Sequence, residues 1–271
     1  MDLREFDLHA TLECGQCFRW DRQPDGSFQG VAGGRVLRVS NDNLETALQD
    51  PFWRTYFDAA RDYAGIRQEL SSLDAALARA AAYAPGIRIL NQDPWEALCS
   101  FIISQNNNIP RIKGIISRLC ASFGDPLEEG VFDFPTPERL AALDEEALAP
   151  LRCGFRARYI LDAARIIASG AVDLEQARRI PVDEARASLM TIVGVGPKVA
   201  DCALLYGLHR LDAFPMDVWM KRAMKELFPG KTPADFGPNA GIAQQYIFHY
   251  VRTSGPAVGK AGGPAVGKAG A

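Results

Sequence analysis

Residues 187–217 constrain the fold of this chain more than any other stretch. An apolar run ends at Ile192, the turn Val-Gly-Val-Gly follows at 193–196, and Pro197 then opens a second helical segment. This pattern predicts two short helices joined by a glycine hairpin. Because a glycine turn and a helix start both direct main-chain N–H groups outward, the hairpin is suited to bind an anionic oxygen such as a phosphate.

Two polar residues near the hairpin are candidates for chemistry. Lys198 is the second residue of the second helix, where the positive end of the helix dipole and partial burial both disfavour a protonated amine. A neutral amine can attack an electrophilic carbon and form a Schiff base. Asp217 is predicted to be the N-cap of the next helix. Each residue alone also fits an inert role, a solvated lysine or a helix cap, so the combination carries the hypothesis.

These residues form a recognisable signature. Gly194-Val-Gly-Pro-Lys198-Val-Ala-Asp-Cys202, with Asp217 fifteen residues after Cys202, resembles the helix-hairpin-helix and Gly/Pro/Asp signature of base-excision DNA glycosylases. Within that superfamily the chain resembles the 8-oxoguanine DNA glycosylases up to about residue 252. One departure is Val193, where the family often has proline. The resemblance implies an α+β fold: a mostly α-helical helix-hairpin-helix glycosylase domain preceded by a small N-terminal antiparallel β-sheet domain.

Local patterns support this division of the chain. Aromatic and branched residues alternate with turns at 24–26 and 33–34, which predicts strands over 17–20, 27–31 and 36–40. Helical periods follow, with Leu70, Leu73 and Leu77 predicted on one apolar face. Further helices are predicted over 155–169, 182–192, 197–206, 217–228 and 239–252. The predicted domains are 1–88, of the 8-oxoguanine glycosylase α+β type, 89–254, the helix-hairpin-helix glycosylase domain, and 255–271, a disordered repeat tail.

The resemblance also implies a pocket for a damaged base. Segment 12–20, Leu-Glu-Cys-Gly-Gln-Cys-Phe-Arg-Trp, is similar to the family segment whose glycine carbonyl, here that of Gly15, recognises the lesion. 8-Oxoguanine has hydrogen on N7 where guanine has a lone pair, so a fixed carbonyl accepts from the first and repels the second. The implied pocket residues are Cys202, Met216, Gln244 and Phe248. Without the resemblance, a turn at Gly15 and ordinary packing of Cys202 and Phe248 would explain these residues.

A second implied group contacts the rest of the duplex. Asn106, Arg111 and Arg156 match the family residues that fill the space of the extruded base and contact the orphaned cytosine, and Phe155 stands at the wedge position. The main chain of Gly194, Val195 and Gly196 is expected to bind the DNA backbone. Trp219 stands where some relatives carry histidine, so phosphate contacts there are expected to differ.

Composition bounds the partners and the compartment. The formal net charge is −3, which is unusual for a DNA-binding chain, since phosphate contacts usually dominate affinity. Clustered arginines and lysines remain compatible with a local DNA-binding face. Six scattered cysteines indicate intracellular thiols, and Cys14 and Cys17 lack a second pair for a metal site. No signal peptide or membrane span is apparent in the sequence, so we expect the protein to be inside the cell with the DNA. We also expect a monomer.

The resemblance implies a bifunctional 8-oxoguanine DNA glycosylase/AP lyase that acts on double-stranded DNA with oxidised guanine opposite cytosine. Lys198 is the expected nucleophile and Asp217 stabilises the cationic sugar. No metal or organic cofactor is expected, although a structural monovalent cation at the hairpin would fit. Two alternatives stay open: a glycosylase for another damaged purine, which Lys198 disfavours, and a non-catalytic helix-hairpin-helix DNA-binding protein, which the combination of Lys198, Asp217 and Gln244 disfavours.

Overall fold

A three-stranded antiparallel sheet forms the N-terminal part of the computed structural model, which describes residues 5–254. Its strands, in the order β1-β2-β3, are Trp20–Arg22, Phe28–Ala32 and Arg35–Val39. Trp20 pairs with Gly30, and a Cβ at Gly30 would lie 2.2 Å from the Trp20 ring, so only glycine fits beneath this indole. The predicted sheet is confirmed, but its first strand starts three residues later than predicted, because Phe18 leaves the sheet to pack on Phe101 at a ring distance of 5.6 Å.

Helices make up most of the remaining chain. They are named α1 to α14 and span Leu8–Glu13, Leu44–Ala47, Pro51–Tyr56, Tyr63–Leu73, Ala75–Tyr83, Pro94–Ser104, Ile109–Phe123, Pro137–Ala141, Arg156–Ala168, Leu174–Ala177, Val182–Leu189, Pro197–Tyr206, Val218–Leu227 and Ala240–Thr253. A two-stranded ribbon, β4 (Pro126–Glu128) and β5 (Val131–Phe132), follows α7. The two helices predicted around the glycine hairpin are α11 and α12. The α+β class is confirmed, and the predicted tail at 255–271 lies outside the described residues.

The prediction for Leu73 is wrong. Leu70 and Leu77 are buried, but Leu73 is 42% exposed. The reason is Asp74, which ends α4 in an extended conformation (φ −163°, ψ 138°) and accepts a hydrogen bond from the Ala76 N–H as the N-cap of α5. One predicted helix is therefore two, and the break turns Leu73 out of the apolar face.

Two clusters of buried apolar residues hold the elements together. The smaller one packs the sheet against α2 and α3 around Trp20, Trp53 and Phe57. The larger one includes α4 and α5 together with the helices that follow, and α5 packs on α14. Since α4 and α5 precede the predicted boundary at residue 88, the packing does not follow that boundary, which stays a prediction.

A buried ion pair joins the N-terminal part to the helices. Arg19 lies 3.1 Å from the Glu96 carboxylate on α6, and its guanidinium also donates to the Phe132 carbonyl. Burial raises the pKa of Glu96 to about 7, although the neighbouring Arg19 lowers it. The pair therefore positions α6 at an electrostatic cost that changes with pH.

The melting temperature of Glu96→Gln minus that of the parent is expected to be more positive at pH 8 than at pH 5. Because the pKa of Glu96 is raised in the folded state, the stability that its bound proton contributes is complete below its unfolded value of 4.5 and is lost as the pH rises through about 7. Glutamine carries no such proton. Each kcal/mol shifts the melting temperature of a chain this size by about 2–4 °C, so thermal unfolding of both proteins at the two pH values measures the effect.

The same substitution at Glu138, an exposed glutamate in the first turn of α8, controls for the loss of charge as such. A variant-minus-parent difference for Glu96→Gln that is equal at both pH values would contradict the prediction. Histidine titration is common to parent and variant, so it cancels in this difference.

Candidate active site

The hairpin between α11 and α12 is fixed from both sides. Gly194 has φ +82°, and an added Cβ would lie 2.3 Å from the Tyr159 ring, so glycine is required by conformation and by packing. The N–H of Val193 donates to the Asp162 carboxylate at 2.7 Å. A proline, which the family often has here, could not donate this hydrogen bond. This chain therefore attaches its hairpin to α9 through Val193.

The main-chain N–H groups of the turn differ in availability. The N–H of Val195 donates to the Ile192 carbonyl at 3.0 Å and is engaged within the turn. The N–H groups of Gly194 and Gly196 have no hydrogen-bond partner among residues 5–254. Gly196 is also the N-cap of α12, with Pro197 at its first position. A phosphate contact at Gly194, Val195 and Gly196 stays a prediction, with two of the three amides open.

A second, partly buried ion pair joins the two hairpin helices. Arg186 of α11 lies 2.6 Å from Asp201 of α12, and Asp201 is only 6% exposed. Burial raises the pKa of Asp201 to about 6, against the lowering effect of Arg186. This pair was not predicted from the sequence, because the spacing of two residues on different helices carries no signal of contact.

Lys198 lies half-buried on the first turn of α12. Its Nζ is 5.1 Å from the centroid of the Phe101 ring, and no ion pair holds it among the residues that the structure describes. The Cys202 thiol lies one turn further along the helix. Burial raises the pKa of Cys202 to about 11, Lys198 acts to lower it, and Asp217 contributes to the rise. The amine and the thiol are therefore in contact, and the Asp217 carboxylate is near enough to act on the charge of the thiol.

Asp217 is the N-cap of α13, as predicted. Its Oδ1 accepts a hydrogen bond from the Met220 N–H at 2.8 Å, and the residue is half-buried. Within the described chain, the second carboxylate oxygen has no hydrogen-bond partner. One oxygen thus fixes the side chain while the other is available to a cation. Trp219, two residues later, is 41% exposed at the start of the same helix.

The predicted pocket residues lie on the elements that also carry Lys198 and Asp217 or pack against them. Gln244 of α14 is 3% exposed, and its Nε2 donates to the Pro215 carbonyl at 3.3 Å, directly before Met216. Its Oε1 is 3.4 Å from the hydroxyl of Tyr206, which lies one turn beyond Cys202 on α12. Phe248, one turn after Gln244, is half-buried. The structure therefore brings Cys202, Met216, Gln244 and Phe248 to one region.

Two aromatic residues that the sequence analysis missed form the base of this region. Phe101 of α6 lies beneath Lys198 and stacks on Tyr206 with ring centroids 5.4 Å apart. Tyr206 in turn donates to the Gln245 side chain at 2.6 Å. Both residues belong to apolar helix faces in the sequence, so only the packing of α6 on α12 shows that they support the lysine.

The loop after α1 reaches the same region. Gly15 has φ +90°, and Phe18 of this loop packs edge-on against Phe101. The Gly15 carbonyl accepts no hydrogen bond from any residue in 5–254. An unpaired acceptor therefore stands on the loop that the resemblance assigns to base recognition.

The residues predicted at the orphaned base lie together at the starts of α7 and α9. Asn106 is exposed with φ +49°, Phe155 is 52% exposed, and Arg111 is exposed on the first turn of α7. Arg156, however, is only 3% exposed, and its guanidinium donates to the carbonyls of Gln105 at 2.9 Å and Asn106 at 3.1 Å. Arg156 thus orders the turn that carries Asn106, and its contact with a base stays a prediction.

The described residues include buried cysteines but no metal-binding cluster and no membrane-spanning helix. Cys14 and Cys17 are both buried as free thiols. Among residues 5–254, no group of three or more His, Cys, Asp or Glu side chains is arranged to hold a metal ion. The helices of this part of the chain are too short or too polar to cross a membrane.

Two family models match the chain. Residues 1–98 match the 8-oxoguanine DNA glycosylase N-terminal domain, and residues 99–235 match the HhH-GPD superfamily of base excision DNA repair proteins. A probable N-glycosylase/DNA lyase of Methanothermobacter thermautotrophicus is 32% identical over 93% of this chain and 95% of its own. N-glycosylase/DNA lyase OGG1 of Arabidopsis thaliana is 29% identical over 93% of this chain and 75% of its own.

A solved structure agrees with the full described fold. It is the Clostridium acetobutylicum 8-oxoguanine glycosylase/lyase in complex with double-stranded DNA containing cytosine opposite 8-oxoguanine. It superposes with a TM-score of 0.81 at 36% identity, over 92% of this chain and 93% of that one. The similarity therefore extends over nearly the whole length of both chains.

Proposed function

Since the chain belongs to the 8-oxoguanine DNA glycosylase family of base-excision repair enzymes, we propose that Lys198 and Asp217 perform its glycosylase and AP lyase reactions on 8-oxoguanine paired with cytosine. One observation supports this most directly. The Lys198 amine lies over the Phe101 ring without an ion pair among the described residues, at the start of the helix that leaves the hairpin and next to the Cys202 thiol, on which Asp217 also acts. The substrate is double-stranded DNA, so the protein acts in the compartment of the cell that contains the DNA.

Binding begins at the hairpin in this mechanism. The open N–H groups of Gly194 and Gly196 hold a phosphate of the lesion strand. The damaged nucleotide leaves the duplex and enters the region between α12 and α14, as base-extruding enzymes require. Phe248 and Cys202 contact the two faces of the base, Met216 closes one side, and Gln244 contacts its Watson–Crick edge. The Gly15 carbonyl accepts from N7–H.

Chemistry follows at the sugar. The Nζ lone pair of Lys198 forms a bond to C1′ as the C1′–N9 bond breaks, and the electron pair of that bond leaves with the base, which takes up a proton that the now cationic Nζ gives up. The Asp217 carboxylate stabilises the positive charge that develops on the sugar. The sugar ring then opens to a protonated Schiff base, loss of a C2′ proton expels the 3′ phosphate, and water releases the lysine.

Trapping with borohydride tests this function. Reduction of the Schiff base on a duplex that contains 8-oxoguanine opposite cytosine would join protein and DNA covalently. A protein that is simply a helix-hairpin-helix DNA-binding module would bind without an adduct, and a glycosylase for another damaged purine would leave this base in place. Absence of both base release and adduct on this duplex would therefore refute the assignment.

The exposed Arg111 is the proposed reader of the orphaned base. Cytosine offers N3 and O2 as adjacent acceptors, whereas adenine opposes an arginine donor with its own amino group. Burial lowers the pKa of Arg156 and Arg111 lowers it further, so the two guanidinium groups are near enough to repel each other. The guanidinium of Arg156 holds the carbonyls of Gln105 and Asn106. In this proposal Arg156 mainly positions Asn106 while Arg111 distinguishes the bases.

Excision opposite cytosine is expected to exceed excision opposite adenine by at least about tenfold, because one mismatched contact of this kind costs about 1–3 kcal/mol. Arg111→Ala should flatten this ratio more than it lowers the rate opposite cytosine. Single-turnover base release on the two duplexes measures both effects. Arg158→Ala removes another exposed arginine, on the first turn of α9, and should lower both rates equally. Equal rates opposite all four bases in the parent would leave Arg111 as a phosphate contact.

A further inference from the structure

The Gly15 carbonyl must keep one orientation to distinguish the lesion from guanine. Glycine itself imposes little constraint, and no atom outside residues 14–16 lies within 4 Å of the place a Cβ would take. If the peptide between Gly15 and Gln16 turned over, its N–H would face the base and pair with the N7 lone pair of undamaged guanine. The preference for 8-oxoguanine therefore requires a group that fixes this peptide.

Gln16 is bound on every side. It is 0% exposed, and its Nε2 donates to the carbonyls of Thr11 and Arg88, both at 2.8 Å. Its Oε1 accepts from the Leu90 N–H at 2.9 Å, and its main-chain carbonyl accepts from the Gln92 side chain at 2.7 Å. These bonds attach the residue to α1 and to the segment that leads into α6.

The peptide orientation follows from these contacts. The main-chain N–H and the side-chain amide of Gln16 both lie against the Cys14 sulfur, where they lower the pKa of a thiol that burial raises to about 12. In a trans peptide the C=O points opposite to the N–H. The Gly15 carbonyl therefore points away from the buried sulfur, which agrees with its having no partner in residues 5–254.

The same network reaches the pocket. Gln92, whose side chain holds the Gln16 carbonyl, donates its own N–H to the Tyr206 carbonyl at 3.1 Å. Tyr206 is the residue whose hydroxyl contacts Gln244. Gly15, proposed to contact N7, and Gln244, proposed to contact the Watson–Crick edge, are thus connected through two buried glutamines, Gln16 and Gln92.

We propose that Gln16 is a positioning residue that holds the Gly15 carbonyl as an acceptor and thereby sets the preference for 8-oxoguanine over guanine. The inference rests on the proposed function, in which Gly15 reads N7. Gln16 itself is buried against Thr11, Arg88 and Leu90, none of which is assigned to the chemistry at C1′. Its loss should therefore impair recognition of the base and spare cleavage at a site that has no base.

Gln16→Met tests this separation, because methionine has a similar length and no strong hydrogen-bonding group. Two single-turnover rates are compared with the parent: release of 8-oxoguanine opposite cytosine, and strand cleavage at an abasic site opposite cytosine. We expect the first rate to fall at least about tenfold more than the second, equivalent to about 1.4 kcal/mol. The ratio of binding to 8-oxoguanine and guanine duplexes should fall by a similar factor.

Thr11→Val is the matched control. The Thr11 side chain is also 0% exposed and joins the same segments, through the Gly86 carbonyl at 3.4 Å and the Arg88 N–H at 3.1 Å. It should lower the melting temperature and keep the parent ratio of the two rates. Gln92→Met removes the bond to the Gln16 carbonyl alone and should shift the ratio in the same direction by less, which keeps the test open if Gln16→Met does not fold.

Equal loss of both rates, or parent ratios in Gln16→Met and Gln92→Met, would overturn the positioning role. This outcome differs from failure of the proposed function. In that case the unmodified protein itself would neither release 8-oxoguanine nor cleave at the abasic site.

Discussion

Lys198→Gln is expected to abolish base release and borohydride trapping on an 8-oxoguanine duplex while DNA binding is retained. Glutamine keeps most of the side-chain volume above the Phe101 ring but has no nucleophilic lone pair on nitrogen. In the proposed mechanism, binding depends on the hairpin amides and on exposed arginines, which the substitution leaves unchanged. Gel-shift binding and single-turnover excision on the same duplex measure the two properties.

Lys225→Gln is the matched control, since Lys225 is an exposed lysine in the last turn of α13. It should release the base and trap as the parent does. An adduct that persists in Lys198→Gln would show that another amine is the nucleophile. Loss of binding in Lys198→Gln would instead show that the lysine is mainly a phosphate contact.

Asp217→Asn is expected to slow base release by about 10²–10³-fold, the range typical of losing one group that stabilises charge in the transition state. The neutral amide cannot stabilise a developing cation. Asparagine is nevertheless as good an N-cap as aspartate, so the Met220 N–H keeps its acceptor and the melting temperature should change little. Single-turnover excision and thermal unfolding of one preparation separate the two roles.

Two controls bracket this result. Asp217→Ala removes the cap as well, and should cost about 0.5–2 kcal/mol of stability in addition to activity. Asp93→Asn changes an aspartate with the same capping role at the start of α6, where Oδ1 accepts from the Glu96 N–H at 2.8 Å, and should leave excision unchanged. An Asp217→Asn protein that melts many degrees lower yet is fully active would make Asp217 only a cap.

Predictions from the sequence succeeded where a short stretch determines the outcome. The hairpin, α12 and the cap at Asp217 depend on glycine, proline and aspartate at fixed offsets, and the structure confirms all three. The sheet follows from turns and alternation, although Phe18 shows that tertiary packing decides where its first strand begins. The prediction that Leu73 is buried was wrong because a capping aspartate, Asp74, ends the helix and interrupts its apolar period.

The partners of buried polar groups were not predictable. Gln16 contacts residues more than seventy positions away, and Arg156 binds carbonyls about fifty positions earlier. A sequence shows that such residues are polar, but not which main-chain group they will meet. The candidate site was therefore predicted at the level of its reactive residues, and the groups that hold them in place became visible only in the folded chain.

The attachment of the hairpin to α9 has a consequence for how the protein moves on DNA. Phe155 directly precedes α9, Tyr159 packs against Gly194, and Asp162 holds Val193. At about 1.5 Å per helical residue, these contacts lie about 6–10 Å from Phe155 along the helix. That span equals about two to three steps of about 3.4 Å along one DNA strand. In the proposed complex, where the hairpin amides bind a phosphate and Phe155 enters the duplex, these two contacts keep a fixed separation, so each displacement along the duplex presents a new base pair to the ring in the same register.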